Sequence, residues 1–115
     1  MGRRHRQKTK LIAPTHAYRD AEDNVLQLRG ALTPATRREY AQTLDGGLDR
    51  EDARQRAIEL LFERLAVSWT ISGLETDRQK ELIGRYRMAS ATERTFVRES
   101  LRVHLAEHFP EMEAL

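Results

Sequence analysis

The stretch Asp49–Ile71 constrains the fold of this chain more than any other segment. Apolar residues recur in it at spacings of three and four, from Ala53 through Leu65, and charged residues lie between them. This is the periodicity of an amphipathic helix with one face in a core. Asp49 is a favourable N-cap, because its carboxylate accepts from the free backbone N–H groups of the first turn. The segment predicts a central helix that continues to about Val67.

Three further helices are indicated by start signals, namely Thr33 before Pro34, and the capping-box pairs Thr76/Gln79 and Ser90/Glu93. Proline is favourable at the first helical position, and a capping box satisfies two backbone donors. The predicted helices run from Pro34 to about Leu44, from Thr76 to about Met88 and from Ser90 to about His108. Four helices joined by short loops predict an all-α fold, either a compact bundle or an orthogonal array.

A short two-stranded ribbon is the alternative for part of the chain. Val25–Arg29 and Val67–Ile71 both alternate apolar and polar residues, as half-buried strands do. The same residues of Val67–Ile71 also continue the helical spacing, and periodicity cannot decide so short a run. We expect helix and leave the ribbon open.

The charge distribution divides the chain into three parts. Residues 1–19 hold six cations and no acid: Arg3, Arg4, Arg6, Lys8, Lys10 and Arg19. We expect a flexible basic arm over 1–19, a single helical domain over 20–109 and an acidic tail over 110–115. The arm could contact nucleic acid, because clustered cations bind phosphates without sequence preference, or it could contact a protein partner.

Composition excludes several classes of function. The chain has no cysteine, so disulfides, zinc-thiolate sites and thiol catalysis are excluded. No apolar run approaches the roughly 18 residues of a membrane span. We therefore expect no membrane contact and a cytoplasmic location. Arginine greatly outnumbers lysine, which is typical of proteins from GC-rich bacteria or their phages and mobile elements.

The pattern closest to a catalytic motif is His104-Leu105-Ala106-Glu107-His108, which matches H-x-x-E-H of inverted zinc proteases. Histidines four apart share one helix face. Such enzymes need a third ligand farther along the chain, and only seven residues follow His108. We interpret His104 and His108 as helix-end residues and predict no metal, no cofactor and no catalytic residue.

Two surfaces are candidates for contact with a partner. Arg94, Arg98 and Arg102 form a row along the last predicted helix, although nearby glutamates indicate a salt-bridged, solvated face. The apolar candidates are Trp69, although core packing is the favoured interpretation of a single tryptophan near a helix end, and the three-spaced residues Phe109, Met112 and Leu115.

The sequence as a whole predicts a non-enzymatic interaction or assembly module, for example an assembly chaperone. Its expected partner is another protein or a second copy of the chain. The alternative is a nucleic-acid-binding accessory protein that uses the basic arm and the arginine row.

Overall fold

The structure, a computed structural model, describes residues 13–47 and 49–115 and has an α+β fold. Its elements, in chain order, are β1 (Thr15–Arg19), β2 (Val25–Arg29), α1 (Pro34–Asp45), α2 (Arg50–Leu65), β3 (Ala66–Ile71), β4 (Leu74–Thr76), α3 (Gln79–Arg87) and α4 (Ala91–His108). The four strands form one antiparallel sheet in the order β1-β2-β3-β4. Helices α2, α3 and α4 pack against this sheet, and α1 packs on α2.

The prediction of an all-α helical bundle is therefore wrong. The helix expected to reach about Val67 ends at Leu65, and Ala66–Ile71 follows directly as a central strand. That strand pairs with β2 on one side and β4 on the other. Two neighbouring strands satisfy the backbone groups that a helix would have satisfied locally, which no short-range pattern reveals. The ribbon of Val25–Arg29 with Val67–Ile71, left open above, forms the centre of the sheet.

Both hairpin turns use backbone conformations with positive φ. Ser72 and Gly73 have φ of 51° and 80°, so β3 and β4 are joined by the two-residue turn whose twist suits a hairpin. In the β1–β2 turn, the Asp20 carboxylate accepts from the backbone N–H groups of Glu22 and Asn24, both at 2.9 Å. The Asn24 side-chain oxygen in turn accepts from the Ser72 N–H at 2.9 Å, which ties the two turns together.

The core lies between the inner face of the sheet and α2. Leu26 and Leu28 of β2 and Trp69 of β3 are at most 1% exposed. From α2, the Phe62 ring stacks on Tyr86 with centroids 5.0 Å apart and meets the Trp69 ring edge-on at 5.8 Å. The amphipathic pattern of α2 is confirmed, since its buried residues are Ala53, Ala57, Ile58, Leu61, Phe62 and Leu65.

The helix starts agree with the sequence at all but one position. Thr33, Asp49 and Ser90 each accept a capping hydrogen bond, and Ser90 completes a capping box with Glu93. The capping box expected at Thr76 is wrong. Thr76 belongs to β4, and α3 begins after Arg78, whose side chain makes no capping bond.

An arginine fixes α3 against both α4 and the sheet. Arg85 donates two hydrogen bonds to the Glu93 carboxylate, at 3.0 and 2.6 Å. Its guanidinium carbon also lies 5.4 Å from the centroid of the Trp69 ring. Hydrogen bonds from Arg85 and from the Ser90 N–H lower the pKa of Glu93. The pair is bidentate and half-buried, so it fixes the angle between the helices better than an exposed ion pair would.

Both terminal segments of the described chain pack against the domain. Thr15–Arg19, placed in the arm by the sequence analysis, is a strand of the sheet. At the other end, Phe109 is only 2% exposed and the Tyr40 hydroxyl donates to the Glu113 carbonyl at 2.7 Å. Arg37 of α1 also forms an ion pair with Glu111. Residues 110–115 thus lie along α1 in this structure.

Candidate functional site along helix α4

The last turns of α4 form a closed polar network with the first two strands. His104 is fully buried, and its Nε2 lies 2.8 Å from the Arg29 carbonyl oxygen. A carbonyl can only accept, so Nε2 carries the proton, and the Tyr18 hydroxyl then donates to Nδ1 at 2.7 Å. His104 therefore joins α4 to both β1 and β2 as a neutral ring with both nitrogens occupied.

The environment of His104 keeps the ring neutral. Burial is the main cause that lowers its pKa, and the neighbouring His108 and His16 lower it further. The Arg29 carbonyl and Glu107 act in the opposite direction and are outweighed. Burial, with a smaller contribution from Glu107, also raises the pKa of Tyr18, so the phenol remains a donor.

The other two histidines stack at the surface side of this network. The His16 and His108 rings have centroids 3.9 Å apart and an interplanar angle of 24°. His104, however, has no free lone pair for a metal ion. Across residues 13–47 and 49–115, no group of three histidine, cysteine or acidic side chains is arranged to hold a metal.

The predicted arginine row is divided among three different environments. Arg94 donates to the backbone carbonyl oxygens of Arg87 and Ala89 and lies over the Tyr86 ring at 5.2 Å. Arg102 is paired with Glu99 at 2.6 Å. Arg98 makes no ion pair within the described part of the chain. The even spacing of four along the sequence does not produce a continuous row of available cations.

Arg94 and Arg98 face an open groove of about 880 Å³. The exposed side of α2 forms its floor, α1 forms one wall, and the start of α4 with the end of α3 forms the other. The lining residues are Glu39, Gln42, Thr43, Gly46, Gln55, Arg56, Ile58, Glu59, Leu60, Glu63, Tyr86, Arg87, Ala91, Arg94, Thr95 and Arg98. We call this surface the α2 groove.

The charges of the α2 groove are unequally paired. Each acid that lines it has an arginine partner within the chain: Glu59 with Arg87 at 2.6 Å, Glu39 with Arg64 at 3.2 Å and Glu63 with Arg64 at 3.8 Å. The wall cations Arg94 and Arg98 have no carboxylate partner among the residues described. The surface that remains to be neutralised is therefore positive.

The apolar candidates are less accessible than the groove. Trp69 is 1% exposed and Phe109 2% exposed, so neither side chain reaches a partner in this conformation. Met112 and Leu115 are half-buried against the core. The arm cations Arg3, Arg4, Arg6, Lys8 and Lys10 lie outside the residues that the structure describes.

Sequence reasoning singled out four members of these two sites, His104, His108, Arg94 and Arg98, and missed their surroundings. Tyr18 and Arg29 approach His104 from positions 86 and 75 residues away, and no local spacing links them. The partners in the groove are equally remote, as Arg87 and Glu59 are 28 residues apart. Only a correct prediction of the sheet could have placed Tyr18 opposite the last helix.

Comparison with known proteins gives no relative from which a function could be inferred. No family model matches the sequence, and no curated protein or solved structure is significantly similar to it. None of the helices described has the length and apolar character needed to cross a membrane.

Proposed function

We propose that the protein is a non-enzymatic interaction module whose α2 groove receives an acidic amphipathic helix of a partner protein. The observation that carries this proposal is the unequal pairing of charge in the groove. The acids there are already paired within the chain, whereas Arg94 and Arg98 have no carboxylate partner in the part of the chain that the structure describes. A partner that supplies carboxylates to this wall neutralises them without displacing an existing ion pair.

The shape of the groove suits a short helix. Its floor follows α2 from Gln55 to Glu63, which spans about 12 Å, or just over two helical turns. The apolar side chain of Leu60 is half-buried in this floor, and Ile58 and Tyr86 lie beneath the surface of the groove, each at most 3% exposed. An amphipathic helix binds such a groove through residues spaced three and four apart, with its polar face toward the rims.

A nucleic-acid partner is less well supported by the same geometry. Phosphates favour a run of unpaired cations, but Arg102 is already paired with Glu99, and Arg94 donates to backbone carbonyls. The groove therefore offers two cations without a carboxylate partner among the described residues, Arg94 and Arg98, which is fewer than the run of phosphate contacts that nucleic-acid binding uses.

The proposal is tested with two synthetic helical peptides that share one leucine stripe and differ only in carrying glutamate or lysine on the polar face. We expect the glutamate peptide to bind the full chain, with shifts of backbone NMR signals confined to the groove. The lysine peptide should not bind. Arg98→Ala should lower the affinity for the glutamate peptide by about tenfold, because it removes a groove cation that has no carboxylate partner among the described residues.

Arg102→Ala is the matched control, since it makes the same substitution one turn along α4 and outside the groove. It should leave the peptide affinity unchanged. Equal binding of both peptides would contradict the proposal. So would binding of a DNA duplex at physiological salt that depends on Arg98, which would favour the nucleic-acid alternative.

A further inference from the structure

The outer edge of β1 has backbone groups that the domain does not use. The Gly30 N–H donates to the Pro14 carbonyl at 2.8 Å, and the Asp20 N–H donates to the Asn24 carbonyl at 3.1 Å. Because antiparallel pairs alternate, the backbone groups of His16 and Tyr18 also point toward β2. Those of Thr15, Ala17 and Arg19 point away from the sheet, and no backbone hydrogen bond within the described residues reaches them.

The two edges of the sheet differ in how well they are protected against pairing. The opposite edge, β4, has only three residues, and very short edge strands resist addition of another strand. β1 has five residues in unbroken register with β2, without a bulge or an internal proline. The side chains on its outer face are the exposed Thr15, Ala17 and Arg19. β1 thus lacks most of the features that usually block pairing between edges.

We propose that two copies of the chain associate by antiparallel pairing of β1 with β1 about a twofold axis at Ala17. In this register Ala17 faces Ala17 of the second copy and Thr15 faces Arg19. All three outward residues then fall in hydrogen-bonded pairs and form about six ladder hydrogen bonds. The result is a symmetric dimer with one continuous eight-stranded sheet.

Self-complementarity supports a second copy over an unrelated strand as the occupant of this edge. Each copy presents the same outward backbone N–H and carbonyl groups, on Thr15, Ala17 and Arg19. The twofold register pairs all of these groups, and it places Arg19 opposite Thr15 rather than opposite a second Arg19.

The first test is sedimentation equilibrium of the full chain over a concentration series, with Ala17→Pro as the variant. Proline removes an N–H that points away from β2, so it leaves the sheet of the monomer intact. We expect the wild type to dimerise and the variant to have a dissociation constant about 30-fold higher, since two ladder hydrogen bonds are lost. Ala91→Pro, at the first residue of α4 where proline is tolerated, should leave the dimer unchanged.

The second test measures the register directly, because the chain has no cysteine of its own. In Ala17→Cys the two thiols face each other across the axis, at a Cα separation of about 5.5 Å that a disulfide can bridge. We expect rapid oxidation to a disulfide-linked dimer. Thr15→Cys on the same face should oxidise much more slowly, because its partner across the axis is Arg19.

A chain that remains monomeric at all concentrations would overturn the inference. Faster cross-linking of Thr15→Cys than of Ala17→Cys would overturn the register. A dimer that resists Ala17→Pro but dissociates in Arg98→Ala would show that the copies meet through the α2 groove. That pattern distinguishes failure of this inference from failure of the proposed function, whose peptide assay does not depend on β1.

Discussion

The two ends of α4 present polar residues at the same spacing and use them in opposite ways. At the C-terminal end of α4, the His104 ring is fully buried and both of its nitrogens are hydrogen-bonded within the chain. At its start, Arg98 faces an open groove and has no carboxylate partner among the described residues. The first arrangement stabilises the fold, and the second leaves charge available to another molecule.

This difference shows that a helical spacing of four identifies a shared face but not its environment. The environment is set by the element that packs there. β1 and β2 lie against the end of α4 and supply a donor and an acceptor, respectively, whereas the side of α4 that carries Arg98 faces the open groove. Polar residues that are satisfied internally contribute to stability, and their removal leaves buried groups unpaired. Exposed charges contribute little to stability and more to recognition.

The largest expected effect comes from His104→Ala. This variant removes a buried ring and leaves both the Tyr18 hydroxyl and the Arg29 carbonyl without their partner. We expect the free energy of unfolding, measured by urea denaturation, to fall by about 3 kcal/mol. His108→Ala, the same substitution one turn later at a 26% exposed side chain, should cost less than about 1 kcal/mol. Equal losses would remove the distinction between the two histidines.

A smaller effect is expected from Tyr18→Phe, which removes only the hydroxyl that donates to His104. The lone pair of Nδ1 stays buried and unpaired, so the free energy of unfolding should fall by about 1 to 2 kcal/mol. Combined with His104→Ala, the same change should cost almost nothing, because its partner is already absent. Simple additivity in this double-mutant cycle would mean that the hydrogen bond does not form in solution.

The pH dependence of stability should follow the lowered pKa of His104. In the unfolded chain this histidine titrates near its ordinary value of about 6.5. The unfolded state therefore binds more protons below that pH. The stabilising contribution is fully present above it and is lost as the pH falls from it through the lowered pKa of the folded state. Urea unfolding at several pH values should show this decrease, and His104→Gln should reduce it. An unchanged pH profile would assign the decrease to other groups.

The smallest expected effect on stability belongs to Arg98→Ala. The Arg98 guanidinium makes no ion pair within the described residues, so the free energy of unfolding should change by less than about 0.5 kcal/mol. The same variant should weaken binding of the glutamate peptide by about tenfold, as proposed above. A large loss of stability would instead identify Arg98 as a structural residue like His104.

The helices could be predicted from the sequence because their signals are local. Thr33 with Pro34, Asp49, and Ser90 with Glu93 each satisfy backbone groups within one turn of the residue itself. β1 gave no such signal, since its residues are mostly polar and only His16 and Tyr18 face inward. β4 has only three residues, too few to show an alternating pattern. The β2–β3 pairing, left open above, could not be chosen over helix because the two strands are distant in sequence.

The candidate sites were predictable only in part, for the same reason. The sequence could identify His104, Arg94 and Arg98 as residues of interest. It could not show that Tyr18 would occupy one nitrogen of His104, or that the groove acids would be paired within the chain. Whether a polar residue is available to a partner depends on contacts that only the folded sheet and helices define.

The placement of β2 beside β3 has a consequence for how the chain folds. The β1–β2 and β3–β4 hairpins close over a few residues, but the two central strands are separated in sequence by both α1 and α2. Pairing these strands closes a long loop. The entropy lost in closing it is offset only after the helices have packed. We therefore expect the two hairpins and the α1–α2 pair to form early, and the central β2–β3 pairing to limit the folding rate.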